Sequence, residues 1–436
     1  MKKIFWLLLT LPFVFQSCLK DDEDIFPDSA ADRMDKALKL NKEVLIGASN
    51  GWIMEYFPEK TQKYGGYTIL VKFDANDDVT VSTERGGAGV TETSMYELIG
   101  DSGPVLTFNT HNSLFHYFSE PKNPDGIGPT DSGMAGDYEF LILEATPEKV
   151  TMKGKKTGNR IIMTPISADT DWEKLMEQYL ETDAKDVAQS YKVDMNGKEA
   201  SASVSYRTIT VTYPGENNEV AMSTGSYRIV PSGIVFYEPL ELGGIEISEM
   251  QLSVGTDKEV ILTDQKSGTV FTEVLPDAVD QLLSRNWYFH YDNLGAYGKS
   301  QWDIEFTKYL FPNDRDIYYA YLGTLSGFYG FCFAGVKDNT AEPGVLIYSY
   351  KKVAGDQFSI QYAGSVAGSG LDYWNNYAIY NLARPLGTSS SSTKTFTVVA
   401  NDKRQPTLIT LTDTANPDNV FTLSAKTTYW PYPFEP

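Results

Sequence analysis

Apolar and polar positions alternate along most of the chain. Tyr67, Ile69, Val71 and Phe73 share one face of a run that continues through Asp77-Asp78 into Val79-Thr80-Val81. Period-two alternation marks a strand with one buried face, and the paired aspartates mark the turn of a hairpin. Similar short runs recur at 105–108, 138–143, 150–152, 161–163, 209–213, 234–237, 245–247, 302–306, 345–350 and 396–399. Many short strands separated by turns predict a mainly β chain with a few helices, folded as antiparallel lobes, barrel-like or sandwich-like.

Three segments break this rhythm. Ser29 to about Ala48 carries Met34, Ala37, Leu38, Val44, Leu45 and Ala48 at helical spacing and stops at Asn50-Gly51. From Thr170 to about Ala188, Trp172, Leu175, Met176, Tyr179 and Leu180 form an apolar stripe, and Thr170-x-x-Glu173 fits a capping box. A shorter helix is expected over Asp277 to Arg285. The first and third each lead through an Asn into Trp and an aromatic strand, at Trp52 and at Trp287. This repetition predicts two related β lobes, each opened by a helix that plugs or covers its sheet. The expected domains are an N-terminal lobe over 30–167, a helix with a middle β region over 168–276, and an aromatic-rich C-terminal lobe over 277–436.

The first thirty residues read differently. Met1-Lys2-Lys3 precedes an apolar run from Ile4 to Phe15, broken only by Thr10 and Pro12. That is the length of a signal peptide, here residues 1–17, and too short to span a bilayer. The run ends in Phe15-Gln16-Ser17-Cys18, which resembles a lipobox, so Cys18 is the expected acylation site and the acyl chains the expected attachment to the membrane. Residues 18–29 form an acidic tether. Within it Lys20, Asp21, Asp22, Glu23 and Asp24 are similar to the surface-export signal of Bacteroidota lipoproteins, which implies display on the outer face of the outer membrane.

Composition narrows the chemistry. Charged residues make up 22%, and 37 basic against 58 acidic residues give a net charge of −21. That balance opposes nucleic-acid binding, which needs clustered Lys and Arg. Three His and two Cys exclude zinc-finger, iron–sulfur and disulfide frameworks, and neither metal nor cofactor is expected. Cys332 lies in Gly330-Phe331-Cys332-Phe333, the setting of a buried, inert thiol.

Several short motifs invite chemical readings. Gly100-Asp101-Ser102-Gly103-Pro104 is similar to a serine-protease segment, but no His precedes it, and a hairpin turn is expected. His111 and His116 stand five apart without a third ligand, and Asp74-Ala75-Asn76-Asp77-Asp78 lacks the Gly and Glu of a calcium loop. Lys153, Lys155 and Lys156 crowd a turn that resembles a phosphate loop without its first Gly; the two readings are contact with an anion and a solvated basic hairpin. Aromatic residues reach 13%, and they concentrate late, at Tyr318-Tyr319-Ala320-Tyr321, Tyr373-Trp374-Asn375-Asn376-Tyr377 and Tyr429-Trp430-Pro431-Tyr432. Flat rings beside amides suit sugar or peptide stacking, so Tyr373, Trp374 and Asn375 are candidate ligand residues; cross-strand core packing is the other reading.

A family resemblance rests on Trp52 to Phe57, Gly65-Gly66-Tyr67, Ser102 to Phe108, His116-Tyr117-Phe118, Gly136 to Phe140 and Lys153 to Asn159. Together these are similar to the domain-of-unknown-function 4302 family, most strongly over residues 18 to about 167. The resemblance implies a Bacteroidota lipoprotein and no established activity. The expected function is that of a non-catalytic surface lipoprotein binding an extracellular glycan or peptide, accessory to nutrient capture and working with an outer-membrane transport partner. The alternatives are a carboxylate-dependent extracellular hydrolase and a structural subunit of a surface complex or fimbria.

Overall fold

The computed structural model describes residues 28–185, 187–215, 219–338 and 340–427. Cys18, the run from Lys20 to Asp24 and the aromatic segment from Tyr429 lie outside them. Among the described residues, twenty-five strands form three antiparallel sheets, one of nine strands and two closed eight-stranded barrels. The chain divides into two compact units. The first runs to Ser253 and adds Leu262–Phe271; the second is Val254–Ile261 with everything from Thr272 onward.

The nine-stranded sheet is an up-and-down strip whose first strand, Trp52–Tyr56, also pairs with its last, Arg160–Pro165. It stays open between Glu92–Met95 and Glu97–Gly100. An open edge exposes unpaired backbone groups. Here Thr110 answers them, its hydroxyl accepting from Met95 N at 2.6 Å and donating to Met95 O, while the Asn112 amide donates to Glu92 O. Trp52, Met54, Tyr56, Ile69, Val71 and Phe140 fill the interior. The preceding helix, Ala30–Gly47, is capped by the Ser29 hydroxyl and tied to the sheet by Trp52 Nε1, which donates to Leu45 O at 2.9 Å.

The middle region is a barrel of its own, so helix and β lobe occur three times. Its helix, Trp172–Asp183, is capped by Asp171, whose carboxylate accepts from Glu173 N and Lys174 N; the expected cap at Thr170 sits one residue early. Within the first unit this barrel is clamped to the nine-stranded sheet by buried arginines. Arg207 donates to Glu84 at 2.6 Å and to Gly66 O at 2.7 Å, and its guanidinium lies 4.4 Å from the Tyr67 ring centre. Arg228 donates to Glu55 at 2.7 Å.

The third barrel, Trp287–Leu294 to Val420–Ser424, shares one core with the helical segments that precede and interrupt its strands. The helix Ala296–Glu305 runs into a wider π-helical turn, Phe306–Leu310, and corrects the strand expected over 302–306. Trp302, Phe306 and Leu310 pack among Phe289, Phe331, Leu382 and Phe421, and Trp302 Nε1 donates to Leu382 O.

The final hairpin of each sheet closes on a backbone hydrogen bond, spanning five residues in the first two and six in the third. Gly154 N donates to Asn159 O, Asp264 N to Thr269 O and Asp413 N to Asn419 O, at 2.9, 2.9 and 3.0 Å. Asp264 and Asp413 each accept turn N–H groups with their own carboxylates.

Candidate functional site

The basic turn 153–158 holds an anion of its own. The buried Asp137 carboxylate accepts from Lys156 N at 2.6 Å, from Thr157 N at 3.1 Å and from the Thr157 hydroxyl. A phosphate loop needs these N–H groups free for its ligand. Lys155 is engaged as well, with Asp101 at 3.1 Å and Glu139 at 3.3 Å. Lys153 and Lys156 are exposed. Around the turn, the Tyr56 hydroxyl donates to Asp137 O at 2.8 Å, and burial raises its pKa. Asn159 donates to Phe57 O and Glu59 O. Residues 137 and 153–159, which carried part of the family resemblance, therefore form a structural brace.

His111 and His116 do converge, with ring centres 5.3 Å apart, and His111 meets Glu120 at 3.1 Å. Burial lowers the His116 pKa. The 74–78 segment is a hairpin turn in which Asp74 accepts from Asn76 N and Asp78 N. Gly100 pairs with Pro104 across the turn that holds Ser102. Cys332 is buried, and desolvation pushes its thiol up to about 12, far from a reactive thiolate.

The aromatic candidates separate. Residues 370–376 form a helix, so these aromatics are not a cross-strand pair. Tyr373 points into the core against Phe333 and Tyr377, with ring centres 5.1 and 5.4 Å away, so it is no stacking surface. Trp374, one position on, is half-buried and lies parallel to Tyr362, 4.9 Å between centres and 13° between planes. Tyr380 meets it edge-on at 5.2 Å, and Asn375 is exposed. Tyr362 and Tyr380 were not legible as partners, since one comes from a strand and the other from a separate short helix.

Glu305 is fully buried, and desolvation pushes its pKa up to about 8. Asn381 donates to it at 2.9 Å, and Arg384 is the charge that acts on it. Glycosidase chemistry asks for a second carboxyl group across the bond to be cut.

The model of one protein family, Domain of unknown function (DUF4302), matches residues 22–253, more than half of the chain. The chain belongs to the DUF4302 family. The match spans the nine-stranded sheet, the Asp137 brace and most of the middle barrel, and Trp374 lies beyond it. No curated protein matches the chain. Among solved structures, a lipocalin lipoprotein affecting virulence in Streptococcus pneumoniae is 12% identical, covering 21% of this chain and 93% of its own, at a TM-score of 0.16. A DNA polymerase sliding clamp from Pseudomonas aeruginosa is 10% identical over 90% of this chain and 98% of its own, at 0.12. The C. crescentus β sliding clamp is 9% identical over 90% and 96%, at 0.13. At TM-scores this low none of the three bears on this DUF4302 member's fold or function.

Proposed function

We propose that this protein is a surface lipoprotein that binds an extracellular glycan or peptide without transforming it. It is acylated at Cys18, carried to the outer face of the outer membrane by Lys20 to Asp24, and passes its ligand to an outer-membrane transport partner. The Ser17-Cys18 junction and the acidic run behind it support the location. The observation that carries the binding reading is the Tyr362–Trp374 stack. An indole backed by a parallel ring keeps its orientation without losing much freedom on binding, and Asn375 sets an exposed amide beside it. A hydrolase reading would need a carboxyl partner for Glu305, whose partners are instead an amide and an arginine.

Probing an array of glycans and peptides with the mature chain tests the proposal. Retention of a glycan or peptide, weakened at least tenfold by Trp374→Ala, is the expected result. Undiminished retention by the variant would remove Trp374 from the site.

A further inference from the structure

We infer a second binding site, for neutral carbohydrate, in a groove of about 330 Å³ in the first unit. Its lining includes Gln62, Lys63, Thr208, Thr224, Ser226 and Tyr237. The volume lies at the lower end of the range for small-molecule clefts.

The wall formed by residues 59–66 is held in an unusual backbone shape. Glu59 and Gln62 both adopt left-handed φ values, 57° and 55°, although neither is glycine. Such conformations persist only where the surroundings enforce them, and they cluster at ligand sites. Asn159 enforces this one, donating to Glu59 O at 2.6 Å and accepting from Gln62 Nε2. Gly66 N donates to Tyr227 O, and the Thr208 hydroxyl donates to Lys63 O, so the loop is stitched to the barrel wall opposite. The Arg207–Glu84 clamp lies behind both. The groove is therefore formed before any ligand arrives.

Its polar inventory selects the ligand. Gln62 spends its amide N–H groups on Lys60 O and Asn159 Oδ1, leaving its carbonyl oxygen as an acceptor. Thr208 and Ser226 face each other at 3.3 Å, and Thr224 pairs with Thr210 at 3.0 Å, a row of hydroxyls whose lone pairs can accept from a ligand, Thr208 having given its own proton to Lys63 O. Glu238, on the lining, is paired with Arg160 at 3.2 Å, and Arg160 also lies against the Tyr237 ring. An anion would meet Lys63 alone, and an apolar molecule would strip water from the hydroxyls without replacing it. A neutral polyhydroxylated ligand satisfies the hydroxyl row and the Gln62 carbonyl together. Both walls lie within residues 22–253, the part matched by the family. The site is independent of Trp374.

The test is titration of the mature chain with neutral hexasaccharides of the glucan, xylan, mannan and galactan series, followed by calorimetry. At least one series should bind, with affinity reduced tenfold or more by Ser226→Trp, which fills the groove, and by Gln62→Ala. The same two losses should appear in a Trp374→Ala background, where the proposed C-terminal site no longer contributes. Absence of binding to all four series overturns the inference. So does binding that only Trp374→Ala weakens, which would leave the C-terminal site as the sole sugar site.

Discussion

The Asp137 carboxylate occupies the space that a side chain on Gly154 would enter: a Cβ built there would meet Asp137 Oδ2 at 2.2 Å. In the equivalent turns of the two barrels that position is itself an aspartate, Asp264 or Asp413, capping its own turn. The nine-stranded sheet obtains the same anion from a distant residue, and glycine at 154 makes room for it.

The two arrangements should be interchangeable in part. Asp137→Ala strands the buried Thr157 N–H and hydroxyl together with the part-buried Lys156 N–H, and should cost about 3 kcal/mol in denaturant unfolding of the first unit. Gly154→Asp alone should also destabilise, since two carboxylates would compete for one nest. The double variant should recover at least half of the loss. Additive losses would show that the turns are not equivalent.

Arg207 is paired with the buried Glu84 and, at 3.0 Å, with the more exposed Asp183, so removing Glu84 leaves the buried guanidinium with only its more solvated partner. Glu84→Ala should cost about 3–5 kcal/mol, and Arg207→Met with Glu84→Leu should cost much less than either single change. A double-mutant cycle followed by unfolding of the first unit measures this. Zero coupling would contradict the clamp.

Glu305 ties stability to pH. Its folded pKa of about 8 lies above the ordinary 4.5, so the folded chain holds the proton more tightly than the unfolded chain does. Stability from this group is therefore lost as pH rises from about 4.5 to about 8, by up to about 5 kcal/mol. Glu305→Gln keeps the Asn381 contact and removes the titration. The difference in melting temperature between variant and native chain should widen across that window, and a constant difference would contradict the buried acid.

Much of this architecture was legible in the pattern of residues, and the failures have physical causes. Tyr67 to Val81 reads as a hairpin because its apolar face and its turn agree. Trp302, Ile304 and Phe306 also alternate, yet they belong to a helix and the turn after it. The preceding residues 296–301 lack an apolar stripe, and the helix is held by tertiary contacts such as that of Trp302 with Leu382. Tyr373-Trp374 reads as a loop from the Asn375-Asn376 that follows, and packing of Tyr373 into the core goes with a helix over Gly370–Asn376. That same packing decides which of two adjacent aromatics is fully buried, which spacing alone could not. The Glu59–Gln62 loop left no trace in composition, because its shape depends on Asn159, far along the chain.

The proposed anchoring turns on Cys18. Cys18→Ser should abolish incorporation of a fatty-acid analogue during metabolic labelling and leave the chain soluble or with its signal uncleaved. Persistent labelling would contradict the lipobox reading.

Display on the outer face is the claim on which contact with an extracellular ligand depends, and protease added to whole cells tests it most directly. Replacing Lys20 through Asp24 with alanine alters only the tether, so acylation, folding and abundance should be unchanged. Protease should digest the native protein and spare the variant, which would be retained on the periplasmic side. Equal digestion of both would show that the acidic run is no export address, and protection of the native protein itself would contradict surface display.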